Sequence, residues 1–227
     1  MGERVSYEHS EGVSTITMDD GKVNAMSVAM MEEVNAALDR AEADKAVVIL
    51  TGREGLLSAG FDLAVFKQGM EPLMEMLRVG ARLNQRLLSF PFPVVAACSG
   101  HAIAMGSFLL MSCDLRIGTD GPFKIGMNEV AIGMTLPYFA VELARHRLTP
   151  AYFDRSAILA QMYSPRDAIA PGFLDYVVSS DELMDVARQK ATALTKLDMP
   201  AHVGTKLRVR GPMLEALKQA ISAELGG

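Results

Sequence analysis

The chain has 227 residues, half of them hydrophobic, with 22 Lys and Arg against 27 Asp and Glu and a formal net charge of −5. That apolar content can fill a sizeable core and excludes global disorder, while a mildly acidic chain with scattered cations is a poor candidate for tracking a nucleic-acid backbone. The two cysteines, Cys98 and Cys113, make neither a disulfide framework nor a zinc-type cluster; charges from residue 3 onward leave no room for a signal peptide, and no apolar stretch is long enough to span a bilayer, so a soluble cytoplasmic protein is expected.

In chain order, Val5–Tyr7 and Val13–Met18 alternate apolar and polar residues around Glu11-Gly12, which predicts a β-hairpin ended by Asp19-Asp20-Gly21-Lys22. Ser27 is a candidate N-cap for an amphipathic helix whose apolar face carries Met30, Met31, Val34, Ala37, Leu38 and Ala41. Ala46–Thr51 is a continuous apolar run closed by Gly52, the pattern of a strand buried on both faces. A second helix is predicted over 71–88, broken by Phe90-Pro91-Phe92-Pro93. Buried strands follow at 94–98 and 115–118, around a short, almost wholly apolar helix at 104–112. Strands alternating with helices at this spacing indicate α/β layers or a solenoid of ββα turns. Beyond residue 137 the pattern turns helical, with segments at 137–147, 150–162, 165–170, 182–197 and 212–225. Leu174–Val178 reads as a late strand or an extended link.

Three segments could hold chemistry. Ser58-Ala59-Gly60-Phe61-Asp62-Leu63 follows the strand at 46–51 and is expected to open a short helix, whose unpaired N–H groups suit an anionic oxygen; an ordinary tight turn is the alternative. Ser99–Ser107 joins a buried strand to a buried helix, with the N–H groups of Met105 and Gly106 at the helix start. His101 within it reads as a packing or turn residue in preference to an acid or base. Glu129 lies in the apolar stretch Ile125–Gly133. It is either a solvated loop residue or a carboxylate kept dry to move protons.

Together these segments resemble the crotonase superfamily, the enoyl-CoA hydratase/isomerase family, over Val5 to about Val178. Lys22-Val23-Asn24-Ala25-Met26 is similar to the segment that wraps coenzyme A. Ser58–Leu63 resembles the first oxyanion-hole motif. Ser99–Asp114 resembles the second without gaps, although that motif usually starts Asn-Gly. The resemblance implies a crotonase-like α/β spiral of ββα repeats over residues 1–180, followed by a C-terminal helical trimerisation and lid region over 181–227, in one continuous domain. It implies an acyl-CoA thioester as partner, with coenzyme A part of the substrate and no separate cofactor or metal. It also implies a homotrimer or dimer of trimers; the net charge and the lack of a long apolar stretch lead to the expectation of neither nucleic acid nor membrane as partner.

Carried onto this chain, the oxyanion donors are the backbone N–H groups of Phe61 and Met105. The second position is usually Gly, so the Met105 side chain is expected to narrow the acyl pocket or tilt the peptide. Lys22, Val23, Ala25, Ser58, Ala59, Gly60, Asp62, Gly106 and Phe108 fall at substrate- or CoA-binding positions. The family's hydratases use two glutamates; the later maps to Glu129 and the earlier to Phe108, which cannot carry a proton. That pattern is closest to the Δ3,Δ2-enoyl-CoA isomerases, which rely on one glutamate. The competing expectations are a hydratase or other crotonase-type reaction, a non-catalytic acyl-CoA binder and, disfavoured by the net charge, an RNA-binding relative.

Overall fold

In the computed structural model, which describes residues 4–226, the opening alternation becomes a hairpin. Strands β1 (Val5–Ser10) and β2 (Val13–Met18) pair antiparallel with Val5 opposite Met18. A short β3 (Ala25–Met26) precedes α1 (Val28–Ala43). Ser27 caps that helix by accepting the Met30 N–H at 3.2 Å, which satisfies one of the donors a helix start leaves free. The six apolar residues predicted for its inner face are all buried, and fully burying a Met, Leu or Val stabilises by about 2 kcal/mol.

The chain then winds in turns, each giving one strand to each of two sheets. These turns are β4 (Val47–Thr51) with β5 (Gly55–Ser58), β7 (Val94–Cys98) with β8 (Gly100–Ile103), and β9 (Leu115–Thr119) with β10 (Ile125–Gly126). A further short strand, β6 (Gly60–Phe61), pairs with β3. The larger sheet has the order β1-β2-β4-β7-β9-β11, where β11 is Tyr176–Val178, and every pair beyond the hairpin is parallel. The smaller sheet is β10-β8-β5, also parallel. Helices α2 (Met70–Ser89) and α3 (Met105–Ser112) link successive turns. The helical remainder comprises α4 (Tyr138–Arg147), α5 (Pro150–Ala157), α6 (Leu183–Leu194) and α7 (Met199–Leu225). Among the described residues this is a spiral of ββα turns with C-terminal helices, as expected. Buried Leu183, Ala187 and Ala191 of α6 pack on Val47, Ile49, Val95 and Ala97, so β4 and β7 are covered on both faces. Helix α7 lies along α2 and α4.

Four local expectations are corrected. The helix expected over 150–162 stops at Ala157, because Ala160 takes φ +50 and Tyr163 exchanges both backbone hydrogen bonds with Ile125 (2.9 and 3.0 Å), pulling the chain into an extended bridge. The helix expected over 165–170 is a set of turns: Ala168 O accepts the N–H groups of both Phe173 and Leu174. The segment after Ser58 does not open a helix. Gly60 and Phe61 pair instead with Ala25 and Met26, and only a short 3-10 turn follows at Val65–Lys67. Finally, Pro212 does not start the last helix but lies inside α7. The hydrogen bond it removes would have gone to the carbonyl of Arg208, which is exposed and can turn to water.

Candidate active site

The smaller sheet brings the three chemical segments together. Ser58 of β5 pairs with Ala102 of β8, and Ala102 pairs with Ile125 of β10. From that row Phe61 and Met105 each follow three positions on and Glu129 four, all beyond the same ends of parallel strands. The C-terminal ends of parallel strands are where α/β sheets gather ligands.

Met105 is the first residue of α3, so its N–H has no acceptor within the helix. The Ala104 N–H is used by Gly126 O at 3.0 Å, and the Ser107 and Phe108 N–H groups both turn back to Ala104 O. The peptide that carries the Met105 N–H is set by Ala104 at φ +51, ψ −119, a region that L residues rarely adopt and that costs about 1–3 kcal/mol. Such strain persists where the surroundings fix it, and it commonly marks a working site. Gly60 lies directly against this peptide: a Cβ added there would be 2.8 Å from Ala104 Cβ, 3.1 Å from Ile103 O and 3.6 Å from Met105 N. Gly106 is as confined, since its Cβ would fall 2.6 Å from Ser58 O. Phe61, on β6, is thus held beside the start of α3. Gly60→Ala, strained at φ +103 as well as crowded, is expected to destabilise the protein by about 1–3 kcal/mol and lower turnover at least tenfold, as read by urea denaturation and steady-state kinetics.

Glu129 is 4% exposed, and among the described residues both carboxylate oxygens and the Asn128 Oδ1 are buried without a hydrogen-bond partner. Loss of water raises its pKa to about 7 from 4.5. Of the two readings open in the sequence, the dry carboxylate is the one found. The folded state therefore holds this proton more tightly than the unfolded chain does. Stability falls as pH rises from 4.5 to about 7, and above that the charged carboxylate costs about 3 kcal/mol. Glu129→Gln never ionises, so its stability relative to the parent should grow between pH 5 and pH 8; a difference independent of pH would refute this desolvation.

A family model described as enoyl-CoA hydratase/isomerase matches residues 8–226. The chain belongs to the enoyl-CoA hydratase/isomerase family. It is similar to a solved enoyl-CoA hydratase/isomerase family protein from Pseudomonas syringae, at 49% identity and a TM-score of 0.96 over 98% of this chain and 96% of that one. An enoyl-CoA isomerase of Mycobacterium tuberculosis superposes with a TM-score of 0.94 at 41% identity, covering 98% of each chain. Among curated relatives, mouse mitochondrial enoyl-CoA delta isomerase 1 is 29% identical over 87% of this chain and 70% of its own length. A probable enoyl-CoA hydratase of Bacillus subtilis is 30% identical over 83% and 74%.

In this member of the enoyl-CoA hydratase/isomerase family, the early segment is tied to the first motif by a residue that sequence reasoning did not single out. Asn24, fully buried at φ +47, donates to Met18 O (2.8 Å) and Leu57 O (3.1 Å) and accepts the Asp20 N–H. Its own carbonyl accepts the Ser58 hydroxyl at 2.7 Å. Asn is among the few residues that visit this backbone region readily. Although burial opposes it, the amides of Asn24, Lys22 and Ala25, with Arg53 nearby, hold the Asp20 carboxyl below its ordinary value. Lys22 and Val23 are thereby presented to solvent, Ala25 is half-buried in β3, and the exposed Ala59 donates its N–H to Val23 O at 3.1 Å. Ser58 is fully buried and accepts the Gly60 N–H; Asp62 accepts the Ala64 N–H and does not reach the core.

Phe108 is fully buried and edge-on to Phe139 of α4, with ring centroids 5.9 Å apart. The Met105 side chain is fully buried too, its sulfur accepting an N–H from Asn84 of α2 at 3.4 Å. His101 packs edge-on to Phe123 and accepts the Lys124 N–H, in line with its reading as a packing residue. The two thiols are buried and free, and burial pushes both up to about 12, out of reach as nucleophiles at neutral pH.

Proposed function

We propose that this family member is an enoyl-CoA isomerase, shifting the double bond of a 3-enoyl-CoA to give the 2-trans-enoyl-CoA. Ionised Glu129 removes a proton from C2. The C–H electron pair forms a C1–C2 double bond and the carbonyl electrons move onto the thioester oxygen, which lies between the N–H groups of Phe61 and Met105; conjugation with the C3–C4 double bond makes this a dienolate that can accept a proton at C4. Glu129, now protonated, returns the proton to C4. The double bond re-forms between C2 and C3, and the carboxylate is regenerated. One base serves both steps because C2 and C4 lie on one short carbon frame. Each oxyanion donor contributes about 3 kcal/mol at the transition state. The exposed Lys22 and neighbouring Arg53 offer positive charge to the phosphates of coenzyme A.

The observation that carries this reading is the lone carboxyl group. Glu129 is the only buried carboxylate among the described residues, and it is poised near pH 7 both to take and to give a proton. The position where a second acid would assist water addition holds Phe108, packed on Phe139. Relatives described as a delta isomerase and as a probable hydratase stand at similar identity, so the reaction itself must be assayed. Incubation with 3-hexenoyl-CoA should give 2-trans-hexenoyl-CoA of unchanged mass. A product heavier by one water, or tight binding of either thioester without turnover, would overturn the assignment.

A further inference from the structure

The two amides assigned to the oxyanion site come from residues far apart in sequence, yet their side chains converge on one point of a third element. A Cβ added at Gly80, midway along α2, would lie 2.7 and 2.8 Å from Cε1 and Cζ of Phe61 and 3.5 Å from Cε of Met105. One helical turn further on, fully buried Asn84 donates to Gly80 O at 2.9 Å and to the Met105 sulfur at 3.4 Å. It accepts the hydroxyl of Ser112, at the far end of α3, at 2.7 Å. The Phe61 ring and the Met105 side chain therefore rest on α2 at the same site, and α3 is tied to α2 beneath them.

A glycine inside a helix costs about 1 kcal/mol relative to alanine, and this one needs no positive φ. What it supplies is room for the ring. We propose that Gly80 is a positioning residue for the reaction, setting the separation of the Phe61 and Met105 amides by letting both side chains seat against α2. This rests on the assignment of those amides under the proposed function. Moving the Phe61 ring moves its own backbone, and displacements of about 1 Å at such donors are enough to cost about a hundredfold in rate.

The test is Gly80→Ala, in which the gain in helix propensity, about 1 kcal/mol, offsets part of the crowding against the Phe61 ring, which costs about 1–3 kcal/mol. Its expected signature is a kcat on 3-hexenoyl-CoA reduced tenfold or more, with KM within about threefold of the parent and a fall in melting temperature of less than about 10 °C, so that the variant is folded at the assay temperature. Adding Phe61→Leu, which removes the two ring atoms that the new methyl meets, should restore most of the lost kcat. Parent-like kcat in Gly80→Ala, or a double variant no faster than the single one, would overturn the proposal.

A second readout needs no turnover. Acetoacetyl-CoA bound between the two amides should show an enolate absorbance band in the parent that weakens in Gly80→Ala. If the parent isomerises and shows the band while Gly80→Ala matches it in both, the positioning role alone has failed. If the parent neither isomerises 3-hexenoyl-CoA nor shifts the absorbance of acetoacetyl-CoA, the functional reading has failed and the positioning role goes with it.

Discussion

Glu129→Gln is expected to lower kcat on a 3-enoyl-CoA by about a thousandfold while leaving KM within a few-fold of the parent. The amide keeps the shape of the carboxyl group and removes its proton affinity, so only the transfer step suffers. The size of the loss follows from the environment. Among the described residues both Glu129 oxygens are buried and unpartnered, and no other carboxylate is buried that could take over the proton transfer. With the carboxyl raised to about 7 by desolvation, kcat/KM of the parent should rise with pH and level off above about 7, where the free enzyme carries the ionised base. A residual activity within tenfold of the parent, or a profile flat between pH 5 and pH 8, would remove Glu129 from the mechanism.

Asp114→Ala is expected to cost about 3–5 kcal/mol of stability, the largest loss predicted for any single side chain here. Asp114 closes the second motif, and its role is architectural. One oxygen accepts the Val94 N–H and the Lys206 ammonium, each at 2.7 Å, and the other faces the Arg210 guanidinium at 2.8 Å. Lys206 also donates to Phe90 O and Phe92 O, and Arg210 to Leu88 O. Two cations of α7 thus satisfy carbonyls at the end of α2 and just beyond it, where a helix leaves them unpaired, and Asp114 neutralises both. Without it they stay buried with no counter-charge. Burial already holds the Lys206 ammonium below its ordinary range against the pull of Asp114, so without that pull it should lose its proton at lower pH. The deficit of the variant, measured by urea denaturation, should therefore shrink as pH is raised. Asp114→Asn should show the same trend with a smaller loss, because it retains an acceptor for Val94. A deficit below about 1 kcal/mol would show that α7 is held by apolar packing alone.

Several features were legible without coordinates because they rest on local physics. The runs at 46–51 and 94–98 could be read as strands covered on both sides, since a strand with no polar face needs two partners. The cap at Ser27 and the inner face of α1 follow from the 3.6-residue period. The motifs at 58–63 and 99–114 and the solitary acid at 129 carried the family resemblance, and with it the spiral fold. What local pattern misread were places where a distant partner overrides it. Residues 58–63 look like a helix start until Ala25 and Met26 pair with Gly60 and Phe61. Residues 158–162 look helical until Tyr163 bonds to Ile125.

The sequence by itself determined the strands of the larger sheet, most of the helices, the fold family and the position of the candidate acid, because periodicity and motif spacing are properties of neighbours along the chain. Only the tertiary structure decided that Glu129 is dry, that the Phe61 and Met105 side chains share a seat at Gly80, and that Asp114 binds α7. Desolvation, close approach and charge pairing are set by residues distant in sequence, and their strength depends on separations of a few ångströms that no local pattern encodes.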